Sequence, residues 1–300
     1  MRDLHAATVE RLREWSNWKT PGRCVIFPCD LTDTSAAAQA LNAYSAELVC
    51  SCIASRSGSS EDSWAVEYGA NRVLLDWALE KQVRHFTLLS AICVQKPRLA
   101  FQFAKLKFES TLQDSGLAHS IVRPTAFFKS LSGQLKRVNA GKAFMVFGDG
   151  QLTRCKPIGE ADLAAFIRGC MEDSDGKQPR NGIQAIGGPG PALTPLDQVK
   201  IIEELTGKPV TVRRVPPGLL SGVARTLALP GRWLPALAAK AEYARIGHYY
   251  ATESMLLWDP VSQRYDAGAT PSFGTRCLRD SYRDQLDGNN DQGLGEHGFF

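Results

Sequence analysis

Phe101, Lys105 and Glu109 are spaced four apart in FQFAKLKFE, so an aromatic ring, an ammonium and a carboxylate share one face of a helix. Such a face either makes a surface pair contributing about 0.2–0.5 kcal/mol or presents a cation to a ligand. Just before it, HFTLLS (85–90) is a short apolar run ending in the hydroxyl of Ser90, as a parallel strand does when its tip faces a ligand. After it, HSIVRPTAFF reads as a second apolar strand, stopped by Arg123-Pro124. Proline cannot donate to a ladder and keeps the residue before it out of the helical region. Strand, helix and strand of these lengths make one βαβ unit.

The flanking elements must position that unit. Residues 3–16 have helical character, and after the Pro21-Gly22 break RCVIFPCD reads as a strand at 23–27 running on to Asp30. Thr32, Asp33, Thr34 and Ser35 offer capping oxygens for a helix through AAAQALNAY. ELVCSCIAS is the next buried strand and EDSWAVEYGANRVLLDWALEKQ the next helix. This alternation predicts an α/β fold, a doubly wound parallel sheet whose ligands lie beyond the carboxyl ends of its strands. Asp30 with Leu31, Ala54-Ser55-Arg56, Ser90 and Pro124-Thr125 all fall at such ends.

Farther on, GEADLAAFIRGCMED reads as a helix, NGIQAIGGPG as a late strand with a glycine turn, and TPLDQVKIIEELTG as a helix with a threonine cap and a first-turn proline. From Pro216-Pro217 to residue 257 a Leu/Ala/Arg-rich stretch is helical, broken near Leu229-Pro230-Gly231. The tail from Asp259 is rich in Gly, Asp and Asn and predicts an extended or partly disordered chain. The expected division is a sheet domain over 1–180 and a smaller, mostly helical lobe with the tail over 181–300.

Composition narrows the function classes. With 44% hydrophobic and 22% charged residues the chain is ordinary globular protein. A formal charge of +4, scattered along 300 residues, argues against nucleic-acid binding. Eight cysteines at irregular spacing, with Cys24, Cys50, Cys52 and Cys93 inside apolar runs, fit a reducing compartment and offer no metal-type pairs. No run of about 18 apolar residues is present to span a bilayer, and the first twenty residues, with Glu10 and Glu14, resemble neither a secretory signal nor a transit peptide.

The order of elements resembles the extended and atypical short-chain dehydrogenase/reductases, among them the NmrA-like NAD(P)-binding proteins. Within that group LLSAICVQKP, FQFAKLKFE, SIVRPTAFFKSLSGQ, FGDGQLTRCKPI, IGGPGPALTPLDQ and IGHYYATESMLLWDP are similar to the divinyl chlorophyllide 8-vinyl reductases, from residue 24 to 300. The resemblance implies NADPH-dependent reduction of the 8-vinyl group of divinyl chlorophyllide or protochlorophyllide to ethyl, in the chloroplast, and leaves peripheral association with a plastid membrane open. In the related dehydrogenases a Tyr-x-x-x-Lys pair does the acid/base work, the lysine binding the nicotinamide ribose and lowering the tyrosine pKa. Here the lysine is Lys105 and the tyrosine position is Phe101, which has no proton to give. Reduction of a vinyl carbon forms no alkoxide and is compatible with that loss.

The resemblance thus implies Lys105 and Ser90 as catalytic residues, and Asp30, Leu31, Ala54, Ser55, Arg56, Ser90, Lys105, Pro124 and Thr125 as cofactor contacts. Each has a plainer reading beside it. Asp30 caps the next helix or accepts from the adenine amino group, Ser90 closes a strand or sits near the nicotinamide, and Arg56 neutralises phosphate or is solvated. Phe127 and Phe128 belong to the core or form a macrocycle platform; Tyr249, Tyr250, Trp233 and Trp258 line the substrate or the core. Gly187-Gly188-Pro189-Gly190 reads as a turn, because no helix follows directly. One departure stands out: no Gly-x-x-Gly-x-x-Gly turn precedes Asp30, the first glycine being Gly22. The expectation is a sheet lacking its first two strands, which in the order 3-2-1-4-5-6 fall between 23–27 and 47–53 and leave a gap of about 10 Å. A half-built cofactor site would bind NADPH weakly. The competing expectation is a non-catalytic NmrA-like or photosystem-assembly-type NAD(P)-binding scaffold.

Overall fold

Asp33, not Asp30, starts the first helix: its carboxylate accepts from the backbone N–H of Ser35 and Ala36 at the head of α1 (Thr34–Asn42). The structure, a computed structural model, describes residues 27–172, 181–231 and 235–288. The helix expected over 3–16, the strand expected at 23–27 up to residue 26, and Trp233 lie outside them. β1 (Leu48–Ser51) follows α1, and Ser59 then caps α2 (Ser60–Ser63). That helix continues through a π-helical stretch, Trp64–Ala70, into α3 (Asn71–Glu80). β2 (His85–Leu89), α4 (Ala100–Asp114) and β3 (His119–Pro124) form the expected βαβ unit.

Four strands form one parallel sheet in the order β1-β2-β3-β5, with β5 (Gly182–Ile186) beyond β3. β5, just past residue 180, belongs to this sheet although the expected boundary put it in the second lobe. Successive strand residues face opposite sides, and Ile121 and Val122 show it. Ile121 packs with Leu75, Phe86, Phe108 and Leu112 from α3, β2 and α4, while Val122 packs with Leu163, Phe166 and Ile167 from α6 (Glu160–Met171). Helices therefore cover both faces, which is why β2 and β3 read as unbroken apolar runs. Each such side chain, fully buried, contributes about 1.5–3 kcal/mol. This is a Rossmann-like doubly wound sheet. Among the described residues β1 pairs only with β2.

The strand HSIVRPTAFF ends at Pro124, as expected, and Phe128 opens α5 (Phe128–Asn139), its N–H donating to Ile158 O at 3.2 Å. Two features depart from the sequence reading. β4 (Phe144–Phe147) pairs in parallel with β6 (Val212–Val215), and α7 (Pro195–Thr206) packs with them. The tail is ordered well past Asp259: β7 (Leu257–Asp259) and β8 (Arg264–Asp266) form a hairpin, and α10 (Leu278–Leu286) buries Leu278 and Tyr282 against α5 and α7. Strands of three residues are too short for a period to be read, and α10 is held by tertiary burial. Between these parts α8 (Pro217–Gly231), which runs through the Leu229-Pro230-Gly231 expected to break it, packs along α9 (Pro235–Thr252). The turn at Gly187–Gly188 is required by packing: a Cβ at Gly188 would lie 1.8 Å from Pro157 O. No helix among the described residues is long and apolar enough to cross a membrane.

Candidate active site

α4 starts firmly because the buried Gln102 side chain accepts from the N–H of Arg98 (2.7 Å) and Leu99 (3.0 Å). From that fixed start, Lys105 and Glu109 point inward and neither is a surface residue; their side chains are 10% and 2% exposed. They do not pair with each other in the way a surface i,i+4 pair would. Lys105 Nζ lies 2.7 Å from Glu67 Oε2, on the π-helical stretch. Glu67 Oε1 in turn accepts from Ser55 N (3.0 Å) and Ser55 Oγ (3.3 Å), just past the tip of β1. Glu109 accepts from Ser90 Oγ at 2.5 Å, past the tip of β2, and from both Arg123 Nε (3.2 Å) and Arg123 Nη2, near the end of β3. One helix face thus ties together the carboxyl ends of three neighbouring strands.

The electrostatics agree with that placement. Cys52, beyond β1, has its thiol lowered to about 7, first by the hydrogen bond with Cys50 (Sγ to Sγ 3.8 Å) and, against burial, by the positive charge of Lys105. Cys50 is raised as the other member of that bond. The field of Lys105 therefore reaches the β1 tip. Phe101, one turn before Lys105, packs in a cluster with Cys93, Leu99, Tyr249 and Tyr250. Burial pushes the Tyr250 phenol well above the usual tyrosine range.

The other expected site residues fall as follows. Ser90 gives its hydroxyl to Glu109 and its N–H to Val122 O at 2.7 Å. Thr125 is buried, with Oγ1 donating to Lys156 O at 2.5 Å and N–H to Ile186 O at 2.9 Å, so Pro124-Thr125 is a tied corner. Ala54 and Arg56 are exposed beside the half-buried Ser55, and no ion pair of Arg56 occurs among the described residues. Asp30, with Leu31, leads into α1 and accepts from Thr32 N (2.9 Å) and Thr32 Oγ1 (2.6 Å). Phe128 is buried in the core with α5, and Trp258 meets Tyr265 edge to face. Sequence reasoning missed Glu67, the counter-ion of Lys105, because it lies 38 positions away with no local signal linking the two.

The donor set suits part of a dinucleotide. Lys105 has three N–H groups and one carboxylate partner, and it sits where parallel strands end, the place where this fold takes its ligands. Comparison with known proteins bears on the fold and the family. A family model described as NAD(P)H-binding matches residues 6–174. A divinyl chlorophyllide a 8-vinyl-reductase of Oryza sativa subsp. indica, named chloroplastic, is 43% identical over 92% of this chain and 69% of its own length. The chain belongs to the divinyl chlorophyllide a 8-vinyl-reductase family.

The Cucumis sativus member of the 8-vinyl-reductase family is 47% identical over 85% of this chain and 61% of its own length, and the Arabidopsis thaliana member 44% over 85% and 62%. The chain thus spans about 61% of the length of the first of these relatives. Solved structures share the fold. The Bordetella bronchiseptica enzyme WbmG, in complex with NAD and UDP, superposes with TM-score 0.63 at 13% identity, covering 93% of this chain and 83% of that one. The NADPH-dependent quinone oxidoreductase of Escherichia coli superposes with TM-score 0.60 at 17% identity, covering 94% and 88%.

Proposed function

We propose that this chain carries the reductase chemistry of its family: transfer of a hydride from NADPH and a proton from elsewhere to the 8-vinyl group of divinyl chlorophyllide or protochlorophyllide, giving the ethyl product, in the chloroplast. The observation that carries the reading is the buried Lys105, held by Glu67 at the strand tips in an NAD(P)H-binding fold, with Phe101 where a carbonyl reductase needs its acid. A buried ion pair is a weak stability device, since desolvation offsets most of the attraction, so a lysine placed there is better explained by what it binds. Glu67 fixes the ammonium, and its remaining N–H groups are free to hold ribose hydroxyls. Ser90, Ser55 and Arg56 complete the polar rim, with Arg56 the candidate for a phosphate; Asp30, Leu31, Ala54, Pro124 and Thr125 shape the remainder. When bound, the nicotinamide supplies the hydride. Glu109 positions Ser90 and Arg123, and Phe101 presents an apolar ring to an apolar macrocycle.

The direct test is incubation of the protein with divinyl chlorophyllide and either NADPH or NADH. A blue-shifted monovinyl product formed with NADPH in preference to NADH supports the reading. Absence of product with both, under conditions where a curated relative turns over, overturns it.

A further inference from the structure

α8, α9 and the start of α4 enclose a cavity of about 360 Å³ that the site above does not use. Its wall carries four basic groups, Arg98, Arg225, Arg245 and His248, while Leu99, Ala224 and Tyr249 give it an apolar floor. Two of the arginines are already balanced: Arg98 lies 2.9 Å from Glu253 Oε1 and Arg245 lies 3.1 Å from Glu242 Oε2. Arg225 makes no ion pair among the described residues. Glu253 is shared with Lys96, so even with both carboxylates counted the mouth of the cavity, where the three guanidiniums are exposed, keeps an excess positive charge above an apolar floor, an arrangement suited to one carboxylate of an otherwise apolar ligand.

The cavity also borders the cluster around Phe101. Leu99 and Tyr249 belong both to its floor and to the cluster that holds Phe101 and Tyr250. The Tyr249 hydroxyl donates to Cys93 O at 2.9 Å and Lys96 O at 3.1 Å, which locks the shared wall. Along α4, Leu99 and Lys105 are separated by about 9 Å at 1.5 Å per residue. A tetrapyrrole bears its vinyl group and its propionate on different rings, so a molecule of that size spans such a distance.

We infer that this cavity is a carboxylate subsite, in which Arg225, supported by Arg98 and Arg245, receives the free propionate of the macrocycle and so selects the free acid over its ester. The inference rests on the proposed reductase function and adds the feature of the substrate that is read. It assigns α8 and α9 to specificity and leaves the cofactor to the strand tips.

The test is a fluorescence titration of the full chain with divinyl chlorophyllide and, separately, with its propionate methyl ester. The unaltered chain should bind the free acid about tenfold more tightly, and Arg225→Gln should remove that preference by weakening the acid alone. Ser221→Asp, which places a negative charge on the α8 side of the same cavity, should do the same by repulsion and guards against a folding defect in the first variant. Equal binding of acid and ester by the unaltered chain would overturn the subsite and leave the reductase reading intact. Binding of neither ligand would overturn both. Weaker NADPH binding in Arg225→Gln, with ligand preference kept, would assign the arginines to the cofactor instead and overturn the proposal.

Discussion

Lys96 and Lys105 stand nine positions apart, each 2.7 Å from a buried carboxylate, yet their surroundings differ in kind. Lys96 pairs with Glu253, which also binds Arg98 at 2.9 Å and accepts from Tyr265 Oη at 2.6 Å, and the Lys96 ammonium lies 4.0 Å from the centre of the Trp258 ring. Every partner there joins the loop before α4 to the end of α9 and the β7–β8 hairpin. Lys105 has Glu67 as its carboxylate partner, and Glu67 reaches the backbone and hydroxyl of Ser55 at the strand tips. The shared carboxylate and the ring mark the first lysine as part of a clamp, whereas the proposed function rests on spare donor capacity at the second. Burial and ion-pair distance alone do not separate the two.

The contrast breaks most visibly at Glu253. Glu253→Ala leaves two cations and a phenol without their acceptor and should lower the unfolding free energy by about 3–5 kcal/mol in urea titration. A loss under about 1 kcal/mol, the value of a surface pair, would show that the clamp is not one. Lys105→Met should cost about 3 kcal/mol for the same reason, because Glu67 stays buried without its counter-charge. The double variant Lys105→Met/Glu67→Gln should return to within about 1 kcal/mol of the parent while NADPH affinity stays at least about tenfold weaker. Recovery of both stability and affinity would reduce Lys105 to a second clamp.

Acid sharpens the difference. Burial raises the Glu253 carboxyl, but hydrogen bonds from Lys96 and Tyr265 and the charge of Arg98 outweigh it and hold the group below its usual range. Because the folded value is below the unfolded one of about 4.3, the clamp contributes stability above that pH and loses it as pH falls through the folded value. Trp258 fluorescence should therefore change below about pH 4.3, and in Glu253→Gln that acid-dependent change should be missing. The smallest effect is at Cys52, whose thiol near 7 should give an alkylation midpoint near neutrality, shifted upward by Lys105→Met. An unmoved midpoint would place the ammonium away from the β1 tip.

Some of this was legible in advance because the signals are local. The apolar runs at 85–89 and 119–124, the four-residue spacing of Phe101, Lys105 and Glu109, and the proline stop at 124 each sit within one element, where backbone sterics and side-chain period act. The C-terminal elements were less legible. β4 and β6 lie about seventy positions apart, and a four-residue strand is defined by the partner it finds.

By itself the sequence determined the parallel sheet, the shared face of Phe101, Lys105 and Glu109 on α4, and the absence of an acid at position 101. Only the tertiary structure decided that Lys105 answers to Glu67 and Glu109 to Arg123 and Ser90, and that three arginines from separate elements share one cavity. The reason is range. Periodicity and caps act over a few residues, whereas the partner of a buried charge is whichever opposite group the packed core brings within about 3 Å, and chain separation carries no record of that.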